Sequence, residues 1–517
     1  MTSARFLFAL KLITLVFFLF AFAYKTVTFV DPDLGWHLRA GEIVTQTGTA
    51  PMIDPWNYVI TDQKWIDHEW LLDLFLWNAL TGGYWPVVLL LFFLAAFIPI
   101  AIWIFHARSS VQLLFIALAT SIIWTIIGVR PQVLSFLLFF FLSEFLFSLE
   151  NARIKQITYF FLPLLFAFWA NIHAGFVAGL ILWILVFLTR IYEKIKAEGF
   201  AYRHLLNIEF ASMIASVGAT LLTPYHLTLW SEIITSTTSP LIMYIAEWQT
   251  PFQGFDIPFI IFLGGSVAMT IALRKELPLH RLIPMMFFFV SYIQHGRMAP
   301  FFLIITIPLL EKIFMLLEKN TKALLVTFHP IFRQTLLFLP AILLCAALAH
   351  NGTSSMLREP YHPPYEAINA LDRISHQSCN VFNDYGFGGW MIFANPNEKV
   401  FIDGRSPHWI SQDGISPFKE YVDLIKHPET WEKVFAKHNI CVALLLKTDE
   451  STIKNNAVAQ KPSAWMKIFT KIANLFYPQS SSVPLSLTLK GAGWCEVYTD
   501  QSTVILIKPT APPCARR

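Results

Sequence analysis

The run Asp31-Pro32-Asp33, with Trp36, His37 and Arg39 just beyond it, holds the residues of this sequence best suited to acid–base chemistry. A carboxylate can take the proton of an attacking hydroxyl, and an imidazole near it can orient a reacting group. Asp31 reads as the N-cap of a helix whose first turn contains Pro32 and Asp33. His37 then shares a face with Asp33, and Ala40 shares one with Trp36. Further on, Lys64-Trp65-Ile66-Asp67-His68-Glu69-Trp70 adds His68 and Glu69 ahead of an apolar helix carrying Asp73. A helix N-terminus also favours a glutamate electrostatically, so Glu69 has a structural reading beside the chemical one.

A second set of polar residues stands at the ends of apolar runs. It comprises Arg130-Pro131-Gln132, Asn171-Ile172-His173-Ala174-Gly175, Thr223-Pro224-Tyr225-His226 and Gln294-His295-Gly296-Arg297. Arginine holds phosphate with paired N–H donors, and an ionisable side chain near a membrane face is a functional candidate by default. If these ends converge with the first loop, they build a cavity of carboxylates, imidazoles and guanidiniums. Snorkelling arginines and helix-end caps are the structural alternative.

The elements that must position these groups are membrane helices. The 517 residues are 55% hydrophobic, 15% aromatic and only 14% charged, with a mean hydropathy of +0.54, outside the soluble globular range. Apolar runs fall near 6 to 26, 86 to 106, 111 to 129, 132 to 149, 157 to 172, 174 to 192, 208 to 223, 257 to 273, 281 to 295, 299 to 317 and 334 to 350. The expected architecture is a polytopic α-helical membrane protein of about eleven spans, residues 1–350, with a C-terminal α/β soluble domain, 351–517. Basic residues recur at every second connection, as in Arg190/Lys194/Lys196/Arg203 and Arg274/Lys275/Arg281, which puts those connections and the N-terminus in the cytoplasm. The long loop 27–85 and the C-terminal domain then face outward. A cleaved signal peptide ending at Ala21-Phe22-Ala23 is the competing reading; Lys11 and the apolar run continuing to Val30 favour a retained helix.

In the C-terminal domain, Cys379–Phe382, Lys399–Asp403 and Cys441–Leu446 read as strands, Pro417–Lys437 as one or two helices, and the residues around Asp500-Gln501-Ser502 as a hairpin turn. Cys379, Cys441, Cys495 and Cys514 allow one or two disulfides in an oxidising compartment, or buried thiols. Glycines in Asn383-Asp384-Tyr385-Gly386-Phe387-Gly388-Gly389 and in Asp403-Gly404-Arg405 let backbone approach a ligand or another chain, or serve packing alone. The net charge of +4 is explained by the inner loops and needs no nucleic-acid partner.

Asp31-Pro32-Asp33 with Trp36-His37-Leu38-Arg39, on this architecture, resembles the glycosyltransferase-C superfamily, membrane enzymes that use polyprenyl-phosphate or polyprenyl-pyrophosphate sugars. The segment Asp33 to Arg39 is similar to that of oligosaccharyltransferase catalytic subunits, and Asn383-Asp384-Tyr385-Gly386 resembles their Trp-Trp-Asp-x-Gly motif without its tryptophans, which argues against peptide-sequon recognition. Bacterial membrane proteins with the same Asp-Pro-Asp loop and Asp-Tyr-x-x-Gly-Gly tail are more similar, and imply a fold more than a substrate. The resemblance implies transfer from a polyprenyl-phosphate sugar donor to a lipid, glycan or protein acceptor, outside a bacterial inner membrane and with inversion. Asp31 or Asp33 would be the base, Arg130, Arg297 and His295 would hold the donor phosphate, and His37, His68, Glu69, His173 and Tyr225 would orient substrates. No metal spacing is present, although Asp31, Asp33, His37 and Glu69 supply donors for a divalent cation such as Mg or Mn. The alternatives are a lipid or solute transporter, or a non-catalytic envelope assembly protein.

Overall fold

The computed structural model describes residues 3–148, 156–201, 207–251, 257–310, 363–374, 379–411, 413–448 and 483–509. The expected span at 334 to 350 lies outside them, as does the end of the run 299 to 317. The chain divides into two compact units, Met1–Val30 with Ala79–Leu229 and Glu247–Pro360, and Asp31–Asn78 with Trp230–Ala246 and Tyr361–Arg517. The sequence boundary near 350 kept the first long loop with the helices; the contacts group most of it with the C-terminal residues instead.

The first unit is helical. Helix α1 (Ser3–Thr28) packs against Trp85–His106, and Gln156–Ala170 packs against Ile208–Ala219. Among the described residues three helices are long and apolar enough to cross a membrane: Arg5–Thr28, Trp85–His106 and Phe176–Glu198. Their composition makes the chain an integral membrane protein. Aromatic side chains fill the spaces between helices, with Phe139 against Phe301 at 4.7 Å between centroids and against Phe288 at 5.3 Å. Gly179 lets Trp169 approach so closely that a Cβ there would stand 2.7 Å from the indole.

One connection is longer than the sequence suggests. After Thr223 the chain forms the helix Leu227–Thr238 and the short 3-10 turns Pro240–Tyr244 and Ala246–Trp248. Polar Thr, Ser and Glu residues interrupt the apolar pattern there, and at 12 residues the helix is too short to span.

In the second unit, α2 (Leu34–Thr47) and α3 (Trp70–Thr81) accompany a four-stranded sheet. Its strands are β1 (Asn380–Asn383), β2 (Ile440–Leu446), β3 (Cys495–Thr499) and β4 (Thr503–Ile507), in the order β1-β2-β4-β3. β1 runs parallel to β2, whereas β4 is antiparallel to both its neighbours. The β3–β4 hairpin closes as expected because the Asp500 carboxylate accepts the N–H groups of Ser502 and Thr503 at 2.8 and 2.7 Å. Cys379 and Cys441 form a disulfide beside the β1–β2 pair.

The expected strand at Lys399–Asp403 does not join a ladder. Asparagine side chains replace the neighbouring strand: Asn383 accepts the Phe401 N–H at 2.9 Å and donates to the Ile402 carbonyl at 2.8 Å, and Asn57 donates to the Phe401 carbonyl at 3.0 Å. Among the described residues one bridge involves this segment, Val400 to Asn57, in which the Val400 N–H donates to the Trp56 carbonyl at 2.9 Å and the Tyr58 N–H donates to the Val400 carbonyl at 3.3 Å. Buried backbone groups are thus satisfied without a strand.

Candidate active site

The Asp-Pro-Asp turn begins the second unit. Asp31 accepts the Asp33 N–H on its own carboxylate at 2.8 Å, and its carbonyl accepts from the Leu34 N–H and the Trp390 indole N–H, each at 3.2 Å. Helix α2 therefore starts at Leu34, later than the sequence reading placed it, with Asp33 rather than Asp31 in the cap position and no side-chain cap bond. The carboxylate that would have capped the helix closes the preceding turn instead. Asp31 is buried and Asp33 only partly so.

Glycines hold the turn in place. A Cβ at Gly35 would stand 2.2 Å from the Gly389 carbonyl oxygen, and one at Gly404 would stand 1.9 Å from Asp33 Oδ1. Of the readings left open for Gly388, Gly389 and Gly404, close packing within the chain is the one seen. Gly404→Ala is expected to push the Asp33 carboxylate aside at a cost of about 1–3 kcal/mol. A lowered unfolding temperature checks this.

Beside the turn, Arg405 ties the loop to the C-terminal residues. It donates to Asp403 through Nε at 2.9 Å and Nη2 at 2.8 Å, and to Asp54 through Nη1 at 2.7 Å. Its guanidinium also lies over Trp65, Trp56, Trp409 and Trp36, at 4.5 to 5.8 Å from their ring centroids. The two carboxylates keep its pKa above the ordinary arginine value despite burial.

His37, Glu69 and Asp73 meet between α2 and α3. His37 stacks on Trp36, its Nδ1 lies 2.7 Å from Asp73 Oδ1, and its Nε2 lies 3.6 Å from Glu69 Oε2. His68, part-exposed, stands 3.7 Å from Glu69. Asp67 completes the group, accepting the Glu69 N–H at 3.2 Å. Burial raises the Asp67 and Asp73 carboxyls well above the usual aspartate range, and repulsion among the acids, from Asp73 and Glu69 on Asp67 and from Glu69 on Asp73, raises them further. One imidazole cannot neutralise three buried carboxylates, so the folded state favours keeping a proton there.

Because these folded pKa values are raised, the stabilisation they represent is fully present below the ordinary aspartate pKa of about 4 and is lost as pH rises toward the folded values. The second unit should therefore unfold at lower temperature as the pH is taken up from mildly acid. Asp73→Asn should flatten that dependence, and a pH series of unfolding temperatures measures it.

The arginines belong to the first unit, and they come together. Arg130 hydrogen-bonds Glu247, and Arg297 Nη1 lies 3.4 Å from the other oxygen of the same carboxylate. Arg130 also lies over Phe29 at 5.9 Å and Arg297 over Trp248 at 5.4 Å. His295 donates from Nδ1 to the Trp248 carbonyl at 3.0 Å, and the Gly296 N–H donates to the Gln249 carbonyl at 2.9 Å. Burial would raise the Glu247 carboxyl, but Arg130 and Arg297 outweigh it and hold the group below the usual range. Glu247 was missed in the sequence; its signal was an acid beside a tryptophan at the end of the apolar stretch Leu241 to Ala246.

His173 and Tyr225 are engaged elsewhere in that unit. His173 Nδ1 lies 2.7 Å from Ser135 Oγ and accepts the Gly175 N–H at 3.0 Å, while Tyr225 is buried at the start of the Leu227–Thr238 helix. Asn171 joins two of the connections by donating to the Leu222 carbonyl at 2.9 Å. Among the described residues no group of three or more His, Cys, Asp or Glu side chains is arranged to hold a metal ion. Of the expected cation donors, His37 faces Glu69 through Nε2, while its Nδ1 faces Asp73.

No protein-family model matches this chain, and no curated protein does. Solved structures do. Archaeal oligosaccharyltransferase AglB from Archaeoglobus fulgidus, in complex with an inhibitory peptide and a dolichol-phosphate, is similar at a TM-score of 0.51 and 10% identity, over 88% of this chain and 70% of that one. The Archaeoglobus fulgidus oligosaccharyltransferase tethered to an acceptor peptide containing the NVT sequon gives 0.51 and 12%, over 86% and 69%. ArnT from Cupriavidus metallidurans, bound to undecaprenyl phosphate, gives 0.45 and 12%, over 98% of both chains. The first two carry the comparison: the chain shares the fold of these oligosaccharyltransferases, and the likeness is one of fold alone.

Proposed function

We propose that this protein is a glycosyltransferase that moves a sugar from a polyprenyl-phosphate-linked donor to an acceptor on the extracytoplasmic side of a bacterial inner membrane. The observation that carries the reading is the meeting of Arg130, from one connection, with His295 and Arg297, from another, within a glycosyltransferase-C-like fold. Two guanidiniums held on one anion are the donors a lipid phosphate needs. The dolichol-phosphate of the archaeal structure supports the same class of donor.

In this reading the acceptor hydroxyl oxygen attacks the anomeric carbon as the bond from that carbon to the phosphate oxygen breaks. The hydroxyl proton passes to Asp33, the electron pair leaves with the lipid phosphate, and the anomeric centre inverts. Asp33 is the better base because Asp31 is buried and its carboxylate closes the turn. Arg130 and Arg297 stabilise the charge gathering on the leaving phosphate.

We further assign about eleven spans, a cytoplasmic N-terminus and an extracytoplasmic α/β domain. The alternation of basic connections supports this, and so does the Cys379–Cys441 disulfide, which suits an oxidising compartment. Binding of undecaprenyl phosphate to the detergent-purified protein tests the donor assignment. Arg297→Gln should weaken it by about tenfold or more; binding by wild type that is indifferent to both Arg130→Gln and Arg297→Gln would remove the phosphate site.

A further inference from the structure

Glu247 lies against both of the guanidiniums that an anionic ligand of this site would use. Arg130 hydrogen-bonds one of its oxygens, and Arg297 lies 3.4 Å from the other. That second oxygen, Oε2, is buried and has no hydrogen-bond partner among the described residues. The Trp248 ring beneath Arg297 and the Phe29 ring beside Arg130 hold the guanidiniums without adding charge. Two arginines against one carboxylate leave a single net positive charge. A sugar phosphodiester of a polyprenol carries one negative charge and balances it, whereas a diphosphate-linked donor carries at least two.

We propose that Glu247 sets the charge of the lipid-phosphate site and so selects monophosphate-linked over diphosphate-linked donors. This rests on the reading of Arg130 and Arg297 as the phosphate site. It also gives the leaving step a direction. Transfer converts the bound phosphodiester into a monoester, whose second ionisation lies near pH 6, so the product gains charge while Glu247 stays in place. Repulsion from that carboxylate then favours release of the spent lipid.

The test uses the full chain in detergent and two probes, the methyl diester of farnesyl phosphate and farnesyl diphosphate. Wild type should show no preference for the diphosphate. Glu247→Gln should bind both probes more tightly and move the ratio toward the diphosphate by at least about tenfold, since removing one nearby negative charge matters more to the more highly charged ligand. The double variant Arg297→Gln/Glu247→Gln restores the wild-type net charge and should restore the wild-type ratio, which a merely structural role for Glu247 would not produce. A wild type that itself prefers the diphosphate by more than tenfold overturns the proposal without any variant. So does an unchanged ratio in folded Glu247→Gln, or a double variant that keeps the ratio of the single one. If wild type binds neither probe nor undecaprenyl phosphate, the phosphate-site reading itself is at fault.

Discussion

Asp33→Asn should reduce sugar transfer by at least about a hundredfold while leaving undecaprenyl phosphate binding near wild type. The asparagine keeps the shape of the side chain against Gly404 but cannot take up the hydroxyl proton, and loss of a positioned base typically costs a factor of 10²–10⁴. Asp31→Asn should act differently. Its amide oxygen can still accept the Asp33 N–H that closes the turn, so a smaller loss is expected. Initial rates and lipid binding for the two variants separate these cases. Near wild-type transfer in both would take the base away from this turn.

Arg405→Met is the second large effect, and it acts on folding. Asp54 and Asp403 are buried and share this guanidinium, so removing it strands two carboxylates. Breaking a buried pair from one side costs about 3–5 kcal/mol. Expression and unfolding temperature should both fall, and a protease should cut the first loop, 31–78, faster than in wild type. Arg405→Lys should recover little, because one ammonium cannot reproduce the three directed bonds to Asp54 and Asp403. Since neither group touches a substrate in the proposed reaction, this result bears on the architecture and not on the chemistry.

The apolar runs were legible because their length and composition are dictated by the bilayer itself, and helices such as Trp85–His106 and Ile257–Leu273 fall where the runs do. The β3–β4 hairpin was legible too, since Asp500 supplies the turn locally. The grouping of Arg130, Arg297 and His295 could be anticipated from their shared place at the ends of apolar runs. Glu247 could not, for its partners lie far away in sequence and its own neighbours give no periodic signal. Lys399–Asp403 looked like a strand because Val400-Phe401-Ile402 is a short apolar run, but its hydrogen-bond partners are the Asn57 and Asn383 side chains and, at Val400, the backbone of Trp56 and Tyr58. The same limit hid the union of the first loop with the C-terminal residues, which depends on contacts such as Arg405 to Asp54, 351 positions apart. The glycines there left close approach and plain packing both open, and the fold shows which segments pack against them.

The most direct test is a transfer assay with purified wild-type protein, using labelled sugars on a panel of polyprenyl-phosphate donors with lipid, glycan and peptide acceptors. The account predicts labelled product from at least one donor, with inverted anomeric configuration and release of polyprenyl phosphate. Donor binding without turnover across the whole panel would contradict it, and would leave a lipid-binding membrane protein in place of an enzyme.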